Sequence, residues 1–365
     1  ARIFEELGGV CLDLDGMLGK GEWSDRANWV FPLDHAGTPQ VPFNRFVMTR
    51  ETKARTPRLL ATAGRNCALQ IYVPFASCDF DSSSFSVALH RDFGLVGQQP
   101  GAGGAVPISL HGPMSTGPKG NRVYFGYGTN TDGILQIVDR DKLLNGPKEP
   151  TVENLLYPQV GRLEMTPLVG AHTTYPLLGV PVPQYTRDTI SPKRDFLMIV
   201  DESTANECQQ ARQLVWFADI TVETHPMVVS NWNVREASGN FCSRGGRFGA
   251  HSSNESMDPI FYQKLTFITY FNGGVRMVDV RDPFNPKEVG YFIAPVTKLT
   301  DKRCADEVKN TDCKIAIQTN NMEVDDRGYI YVVDRANTGM HIVELTGAAR
   351  AIANYPKTSR VAGKR

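Results

Sequence analysis

The sequence has no excess of charge of either sign and no long hydrophobic run. Its 39 Lys and Arg residues balance 39 Asp and Glu residues, which argues against the basic surface of nucleic-acid-binding proteins and against an acidic tail for a basic partner. No segment approaches the roughly 18 consecutive apolar residues of a membrane-spanning helix. We therefore expect no nucleic-acid partner and no membrane span, and a small molecule as the favoured partner.

Several short motifs that define enzyme classes are also missing. The chain has no Gly-x-Ser-x-Gly, no His-Glu-x-x-His and no EF-hand loop. The glycine-rich segment 97–107 lacks the Lys-Ser/Thr and the following helix of a phosphate-binding loop. Any chemistry must therefore come from residues that are distant in sequence.

Cys-x-x-Cys pairs are absent, although the chain has seven cysteines. Their absence argues against a structural zinc site and against a thioredoxin-like motif. Three pairs could close short loops as disulfides: Cys304–Cys313, Cys67–Cys78 and Cys208–Cys242. This cysteine content predicts a secreted or periplasmic protein, with a cytoplasmic protein containing buried thiols as the alternative. The first residue, Ala1, fits either a cleaved signal peptide or a trimmed end.

What the sequence does contain is a series of short segments rich in Val, Ile, Tyr and Phe, separated by turns. The 33 glycines and 23 prolines indicate that the chain turns often. Short helices are predicted only near 141–144, 206–212 and 302–309. Strands are predicted at 44–50, 59–64, 68–74, 85–91, 122–128, 133–139, 196–202, 214–220, 227–232, 265–271, 274–280, 329–335 and 340–346. The fold class is therefore all-β.

Internal repetition favours a β-propeller among the all-β folds. Four segments share one pattern of strands and turns, and they begin at His111, His172, His251 and Asn320. Because propeller blades run about 40–50 residues, these blades carry long insertions between strands. We predict one propeller domain over 1–365, with five to seven blades of four-stranded antiparallel sheets in 41–347. Residues 1–40 form an N-terminal extension that could supply the closing strand, and 348–365 form a C-terminal tail.

One repeat carries a more specific phrase. The run TYFNGGVRMVDVRDPFNPKEVGYF at 269–292 resembles the repeat of the LVIVD-repeat β-propeller proteins, and GYIYVVDRANTGMHIVEL and GILQIVDR resemble variants of it. The resemblance covers about residues 105–347. It implies a propeller fold and an extracellular or periplasmic location, and it leaves the activity open.

Three of the seven histidines occupy matched positions in the repeats: His111, His172 and His251. In a propeller, equivalent inner-strand positions are related by rotation about the axis, so these three side chains are expected to converge. Converging imidazoles suit a divalent transition metal, such as Fe, Mn, Cu or Zn. The alternative is a ring of axial polar residues that bind only backbone and water.

The residues next to these histidines complete the predicted site. Glu255 and Glu323 are candidates for a catalytic base or a fourth metal ligand. Amide and other polar side chains would orient or bind a substrate, and an arginine with an aromatic ring would suit an aromatic or carboxylated molecule. These candidate substrate-binding residues are Asn320, Asn321, Asn254, Arg276 and Tyr175.

Two main functions follow from this pattern. The first is a metal-dependent enzyme acting on a small organic substrate in a histidine-lined axial pocket, as an oxygenase, hydrolase or lyase. The second is a non-catalytic secreted or periplasmic propeller that serves as a binding or interaction scaffold. A metal-free enzyme using His and Glu as acid and base lies between them. Association into a homo-oligomer stays open.

Overall fold

The structure is a computed structural model. Before residue 112 it describes the backbone of four strands, at 43–49, 58–63, 68–75 and 86–95. The later described ranges are 112–116, 120–129, 132–147, 151–166, 168–181, 192–303 and 314–355. Contacts within the chain define two compact units. Unit 1 comprises Ala1–Pro176 and Ile220–Met227, and unit 2 comprises Leu177–Asp219 and Val228–Arg365.

Unit 1 contains two four-stranded antiparallel sheets in which strands adjacent in sequence are adjacent in space. The first sheet consists of β1 (Phe43–Thr49), β2 (Arg58–Ala63), β3 (Ala68–Phe75) and β4 (Ser86–Leu95). The second consists of β5 (Met114–Ser115), β6 (Arg122–Tyr127), β7 (Ile134–Asp139) and β8 (Gln159–Glu164). This order is that of a propeller blade.

The second sheet of unit 1 packs against its own short helix. Helix α1 (Arg140–Asn145) begins directly after β7, where the Asp139 carboxylate accepts a hydrogen bond from the Lys142 backbone N–H at 2.9 Å. Leu143 and Leu144 of α1 are buried in one cluster with residues of β6 and β7. A second short helix, α2 (Val152–Leu156), precedes β8.

Unit 2 is built around one four-stranded sheet and one seven-stranded sheet. The four-stranded sheet has the order β12-β11-β10-β9, and β9 begins in unit 1 and continues into unit 2. Its strands are β9 (Ala171–Pro181), β10 (Lys193–Asp201), β11 (Val215–Asp219) and β12 (Met227–Trp232). All three pairings are between strands adjacent in sequence, as in the sheets of unit 1.

The seven-stranded sheet joins two groups of strands. In the first group, β13 (Phe248–Ser253), β14 (Leu265–Phe271), β15 (Val275–Asp279) and β16 (Lys287–Phe292) pair in sequence order. In the second group, β17 (Thr319–Val324), β18 (Tyr329–Asp334) and β19 (Met340–Glu344) do the same. One residue pair, Phe271 with Thr319, connects the two groups.

The hairpin between β14 and β15 shows how local sequence directs this sheet. All seven residues of β14 are buried, and the turn that follows places Gly274 at a φ of 77°. A Cβ atom at this position would lie 2.2 Å from the Phe292 carbonyl oxygen, so only glycine fits. The core of this sheet includes Phe261, Phe267 and Met322, and the C-terminal helix α3 (Gly347–Ala353) contributes Ala349 and Ala353.

The predicted all-β fold class is confirmed: the strands form antiparallel sheets, most of them four-stranded, with the order of β-propeller blades. All thirteen predicted strands are present, within a few residues of their expected bounds. Six further strands were not predicted: β5, β8, β9, β13, β16 and β17. The single domain over 1–365, its terminal extensions and the number of blades stay predictions.

The region 206–212 was predicted to be a helix, and this was wrong. The segment consists of turns and bends, in which Glu207 and Cys208 have φ values of 51° and 62°. Two consecutive residues with positive φ cannot continue a right-handed helix. The predicted helix at 302–309 lies largely outside the described residues, whereas the one near 141–144 corresponds to α1.

One of the three predicted cysteine pairs, Cys208 with Cys242, forms a disulfide in unit 2. At least one member of each remaining pair lies outside the described residues. Across the described part of the chain, no helix has the length and apolar character needed to span a membrane.

Candidate metal site

Two side chains that can bind metal, Glu202 and His251, lie close together in unit 2. The Glu202 Oε1 atom is 3.7 Å from the His251 Nε2 atom, and the two residues are 8% and 6% exposed. His251 is one of the three predicted histidines, whereas Glu202 is a carboxylate that was not predicted. His172, a second predicted ligand, is buried and belongs to unit 1, and its role as a ligand stays a prediction.

His251 lies on β13, and its ring is held in one orientation by two contacts. Its Nδ1 atom is 2.6 Å from the backbone carbonyl oxygen of Asn320, which can only accept a hydrogen bond. Nδ1 therefore carries the proton, and Nε2 keeps its lone pair. The ring of Phe271 packs against the imidazole with centroids 4.9 Å apart. An imidazole bound to a carbonyl through one nitrogen is a typical arrangement for metal-ligating histidines.

Glu202 follows the last residue of β10, and its Oε1 atom lies 3.7 Å from the Nε2 atom of His251. Arg247 donates a hydrogen bond from Nη1 to the same oxygen at 3.0 Å. Arg247 also donates to the carbonyl of Ser203 and packs over the ring of Phe271, 5.4 Å from its centroid. The buried carboxylate thus has a cationic partner that holds it in place.

His172 is the second residue of β9. Its Nδ1 atom lies 2.8 Å from the hydroxyl oxygen of Thr173. Thr173 and its neighbour Thr174 are completely buried, so this end of β9 is an interior strand of small polar residues.

Asp201 precedes Glu202 in the sequence but has a structural role. One of its oxygens accepts hydrogen bonds from the Leu214 backbone N–H and the indole N–H of Trp216, both at 2.8 Å. The other oxygen is buried and has no hydrogen-bond partner within the described part of the chain. Burial raises the pKa of the Asp201 carboxyl well above its ordinary value of 3.8.

His111, the third predicted histidine, lies outside the described residues. Asn320 meets His251 through its backbone carbonyl, which also accepts a hydrogen bond from the hydroxyl of Thr269 at 2.7 Å. The Asn320 side chain instead donates to the side-chain oxygen of Asn321. A substrate-binding role for these two amides stays a prediction.

Glu323 was predicted to be a base or a metal ligand, and its carboxylate is engaged with backbone groups. It accepts hydrogen bonds from the N–H groups of Glu255, Ser256 and Val324 at 3.0, 3.1 and 2.9 Å. These contacts anchor the loop after β13. The catalytic roles of Glu255 and Glu323 stay predictions that these contacts do not favour.

The other predicted substrate-binding residues are interior residues. The Asn254 side chain accepts from the Phe267 backbone N–H at 2.9 Å and donates to the Ser256 carbonyl. Arg276 is 3% exposed and donates to the Gly273 carbonyl at 2.9 Å. Tyr175 is 1% exposed on β9. Their binding roles stay predictions, and for Asn254 and Arg276 the hydrogen bonds indicate a structural role.

Glu202 is the functional candidate that sequence reasoning missed. Its only signal was its position directly after Asp201 in the segment FLMIVDE, which ends a strand of the repeat. The Glu202 carboxylate and the imidazole of His251, with a second imidazole predicted at His172, form a donor set that suits non-haem Fe(II), Mn(II) or Zn(II).

No protein-family model matches the chain, and no curated protein matches it in sequence. Two solved structures are similar to 80% of this chain. The "Structure of Dos1 propeller" is 12% identical, with a TM-score of 0.37, and 56% of that chain is covered. "Drosophila Semaphorin 1a, extracellular domains 1-2" is 9% identical, with a TM-score of 0.36 and 70% coverage. This chain thus spans little more than half the length of the first, and neither similarity carries information on function.

Proposed function

We propose that this protein is a metal-dependent enzyme, in which His251 and Glu202 bind one divalent transition metal next to a small organic substrate, with His172 as the predicted third ligand. The observation that carries the proposal is the distance of 3.7 Å between the Nε2 atom of the buried His251 and the Oε1 atom of the buried Glu202. Imidazole nitrogens and carboxylate oxygens are donors that such ions bind in proteins.

The orientation of His251 supports this proposal. Because Nδ1 donates to the carbonyl of Asn320, the lone pair of Nε2 is directed away from that carbonyl, on the side where Glu202 lies 3.7 Å away. That distance is longer than a hydrogen bond. The Nε2 atom of His251 and the Oε1 atom of Glu202 can therefore bind one ion without a rearrangement of the backbone.

Arg247 sets the electrostatic balance of the site. Its hydrogen bond to Glu202 orients the carboxylate, and its positive charge reduces the attraction of the site for a cation. The imidazole nitrogens must therefore contribute much of the binding free energy, which favours transition metals over Ca²⁺ or Mg²⁺.

The residues of this chain have distinct roles in the proposed reaction. His251 and Glu202 hold the ion with His172, Arg247 positions the carboxylate, and the ring of Phe271 shields the imidazole from water. The ion, when bound, would supply a Lewis acid or a redox centre for oxygenase, hydrolase or lyase chemistry.

A non-catalytic binding scaffold is the second candidate. It is favoured by the same Arg247–Glu202 ion pair, which already gives the carboxylate a cationic partner at 3.0 Å. In this alternative, His251 completes a buried polar network with Glu202 and Arg247 without an ion, and His172 has a structural role. For either function we propose one propeller domain in a secreted or periplasmic protein, supported by the Cys208–Cys242 disulfide.

Metal analysis of tag-free protein tests the proposal. We expect close to one equivalent of Fe, Mn, Cu or Zn after incubation with each ion, with a weak chelator in the buffer to remove adventitiously bound metal. The variants His251→Gln, Glu202→Gln and His172→Gln should each lose stoichiometric binding. His225→Gln is the matched control, because His225 is exposed on the surface and its ring forms a hydrogen bond with the neighbouring Thr224.

The results separate the two candidates. If the wild type takes up none of the four ions, the metal-dependent enzyme is excluded and the scaffold is favoured. If the wild type binds one ion and His251→Gln binds it equally well, the ion lies elsewhere and this ligand set is wrong. Circular dichroism of each variant shows whether a loss of binding arises from unfolding.

A further inference from the structure

A cavity of about 270 Å³ lies within unit 2, apart from the three candidate metal ligands. Its volume is just below the usual range for small-molecule pockets, which suits a ligand with few heavy atoms. Its walls contain both charged and aromatic side chains. The lining residues are Cys208, Gln210, Ala211, Arg212, Gln213, Glu236, Phe248, Gly249 and Tyr270.

The apolar part of the cavity is a rigid aromatic wall. Phe248 and Tyr270 meet edge to face with centroids 5.1 Å apart. Behind them, Phe241 stacks on Phe248 at 4.6 Å, and Trp232 packs against Tyr270 at 5.9 Å. All four rings are at least nine-tenths buried. Such a wall offers a preformed face for a flat apolar group of a ligand.

The polar part of the cavity is an ion pair between Arg212 and Glu236. Arg212 donates two hydrogen bonds to the carboxylate of Glu236, at 2.7 and 2.8 Å. The Arg212 side chain is 55% exposed and that of Glu236 is 28% exposed, so a ligand can approach both. The guanidinium lowers the pKa of the Glu236 carboxyl, which keeps this group ionised at neutral pH.

Tyr270 places an unused hydrogen-bond donor at the cavity. Its hydroxyl oxygen accepts a hydrogen bond from the Val234 backbone N–H at 3.2 Å, and the residue is only 1% exposed. Within the described part of the chain, the hydroxyl hydrogen has no acceptor. A buried donor without a partner is costly, and a ligand acceptor in the cavity would satisfy it.

The backbone around the cavity is held in place. Cys208 is joined to Cys242 by the disulfide, and the Gln210 side-chain oxygen accepts hydrogen bonds from the backbone N–H groups of Thr204 and Ala205. Gly249 has a φ of 145°, and a Cβ there would lie 2.6 Å from the side chain of Ser203. The cavity is therefore preformed, which lowers the entropy cost of binding.

We propose that this cavity binds a free α-amino acid with an aromatic side chain. The carboxylate of the zwitterion would face Arg212 and the Tyr270 hydroxyl, the ammonium would face Glu236, and the ring would pack on Phe248. The adjacent cation and anion match a zwitterion better than a ligand with a single charge, because each charge of the ligand meets its opposite. The small volume excludes a longer peptide.

Titration with L-phenylalanine, followed by tryptophan fluorescence, tests this inference. Trp232 reports on the cavity through its contact with Tyr270, and phenylalanine itself does not fluoresce under tryptophan excitation. We expect saturable binding of L-phenylalanine. We also expect at least about tenfold weaker binding of phenethylamine, which lacks the carboxylate, and of 3-phenylpropanoate, which lacks the ammonium group.

Variants at the ion pair provide the second part of the test. Arg212→Gln and Glu236→Gln should each weaken phenylalanine binding by about tenfold or more. Arg281→Gln is the matched control, since Arg281 forms an ion pair with two hydrogen bonds to Asp279 in the same unit. The affinity of this variant for L-phenylalanine should be the same as that of the wild type. No saturable binding by the folded wild type, or equal affinity in the Arg212 and Glu236 variants, would overturn the inference.

Discussion

Removal of the Cys208–Cys242 disulfide is expected to lower the stability of unit 2. The disulfide closes a loop with a sequence separation of 34 residues, which includes strands β11 and β12. The double variant Cys208→Ala/Cys242→Ala removes the cross-link and leaves the remaining cysteines in place. The unfolded chain then gains the conformational freedom that the cross-link denies it.

The size of the effect follows from the loop length. In the chain-entropy account, closing a loop of this length lowers the entropy of the unfolded state enough to contribute about 3.8 kcal/mol at 25 °C. For a unit of this size, each kcal/mol corresponds to a change in melting temperature of about 2–4 °C. We therefore expect the melting temperature of unit 2 to fall by roughly 8–15 °C in the double variant.

Thermal unfolding followed by near-ultraviolet circular dichroism measures this change, because Trp216 and Trp232 are both in unit 2. Titration of free thiols in denaturant provides the control. Wild type and double variant should show the same number of free thiols, since the two replaced cysteines are bonded to each other. A loss of stability below about 1 kcal/mol, or two more free thiols in the wild type, would refute the reasoning.

Two further substitutions test the interior of each unit. Asp201→Asn removes a carboxyl whose pKa burial raises above 3.8. The stabilisation by the protonated group is complete below its ordinary pKa and is lost as pH rises through the folded-state pKa, so the melting temperature of the wild type should fall relative to that of the variant as pH rises above about 4. Parallel pH profiles of the two proteins would contradict this. Gly161→Ala would place a Cβ 1.8 Å from the Glu223 carbonyl oxygen, and should cost about 1–3 kcal/mol in denaturant unfolding, whereas Gly290→Ala should cost less.

The strands that were predicted share a strong local signal. β14 has the sequence LTFITYF, all of it buried, followed by a turn that requires glycine at 274. Each of these features is readable from consecutive residues. For such segments, local propensity and burial favour the same conformation, which makes the prediction reliable.

The inner strands that were not predicted have a different character. β13 has the sequence FGAHSS, and all six residues are buried. It contains none of the Val, Ile and Tyr residues that identify strands. Its polar groups are satisfied by neighbouring strands, as in the hydrogen bond from the Ser252 backbone N–H to the Thr269 hydroxyl. Only the tertiary structure makes this sequence a strand.

The candidate site shows the same division. The repeat pattern singled out His251 as a candidate ligand, whereas nothing in the local sequence of Glu202 indicated that its carboxylate lies next to that imidazole. The family resemblance at 269–292 stays a prediction, because no family model matches the chain.

The sequence by itself determined the all-β class and the turn-rich hairpins, and it offered Cys208–Cys242 as one of three possible disulfides and His251 as a candidate ligand. The tertiary structure decided that Glu202 lies next to His251, that Glu323 binds backbone N–H groups, and that Arg276 is an interior residue. The physical reason is that a charged side chain has the same local sequence signal whether it binds a backbone group, another charge or a ligand. Its role depends on which partners the fold brings within hydrogen-bond distance.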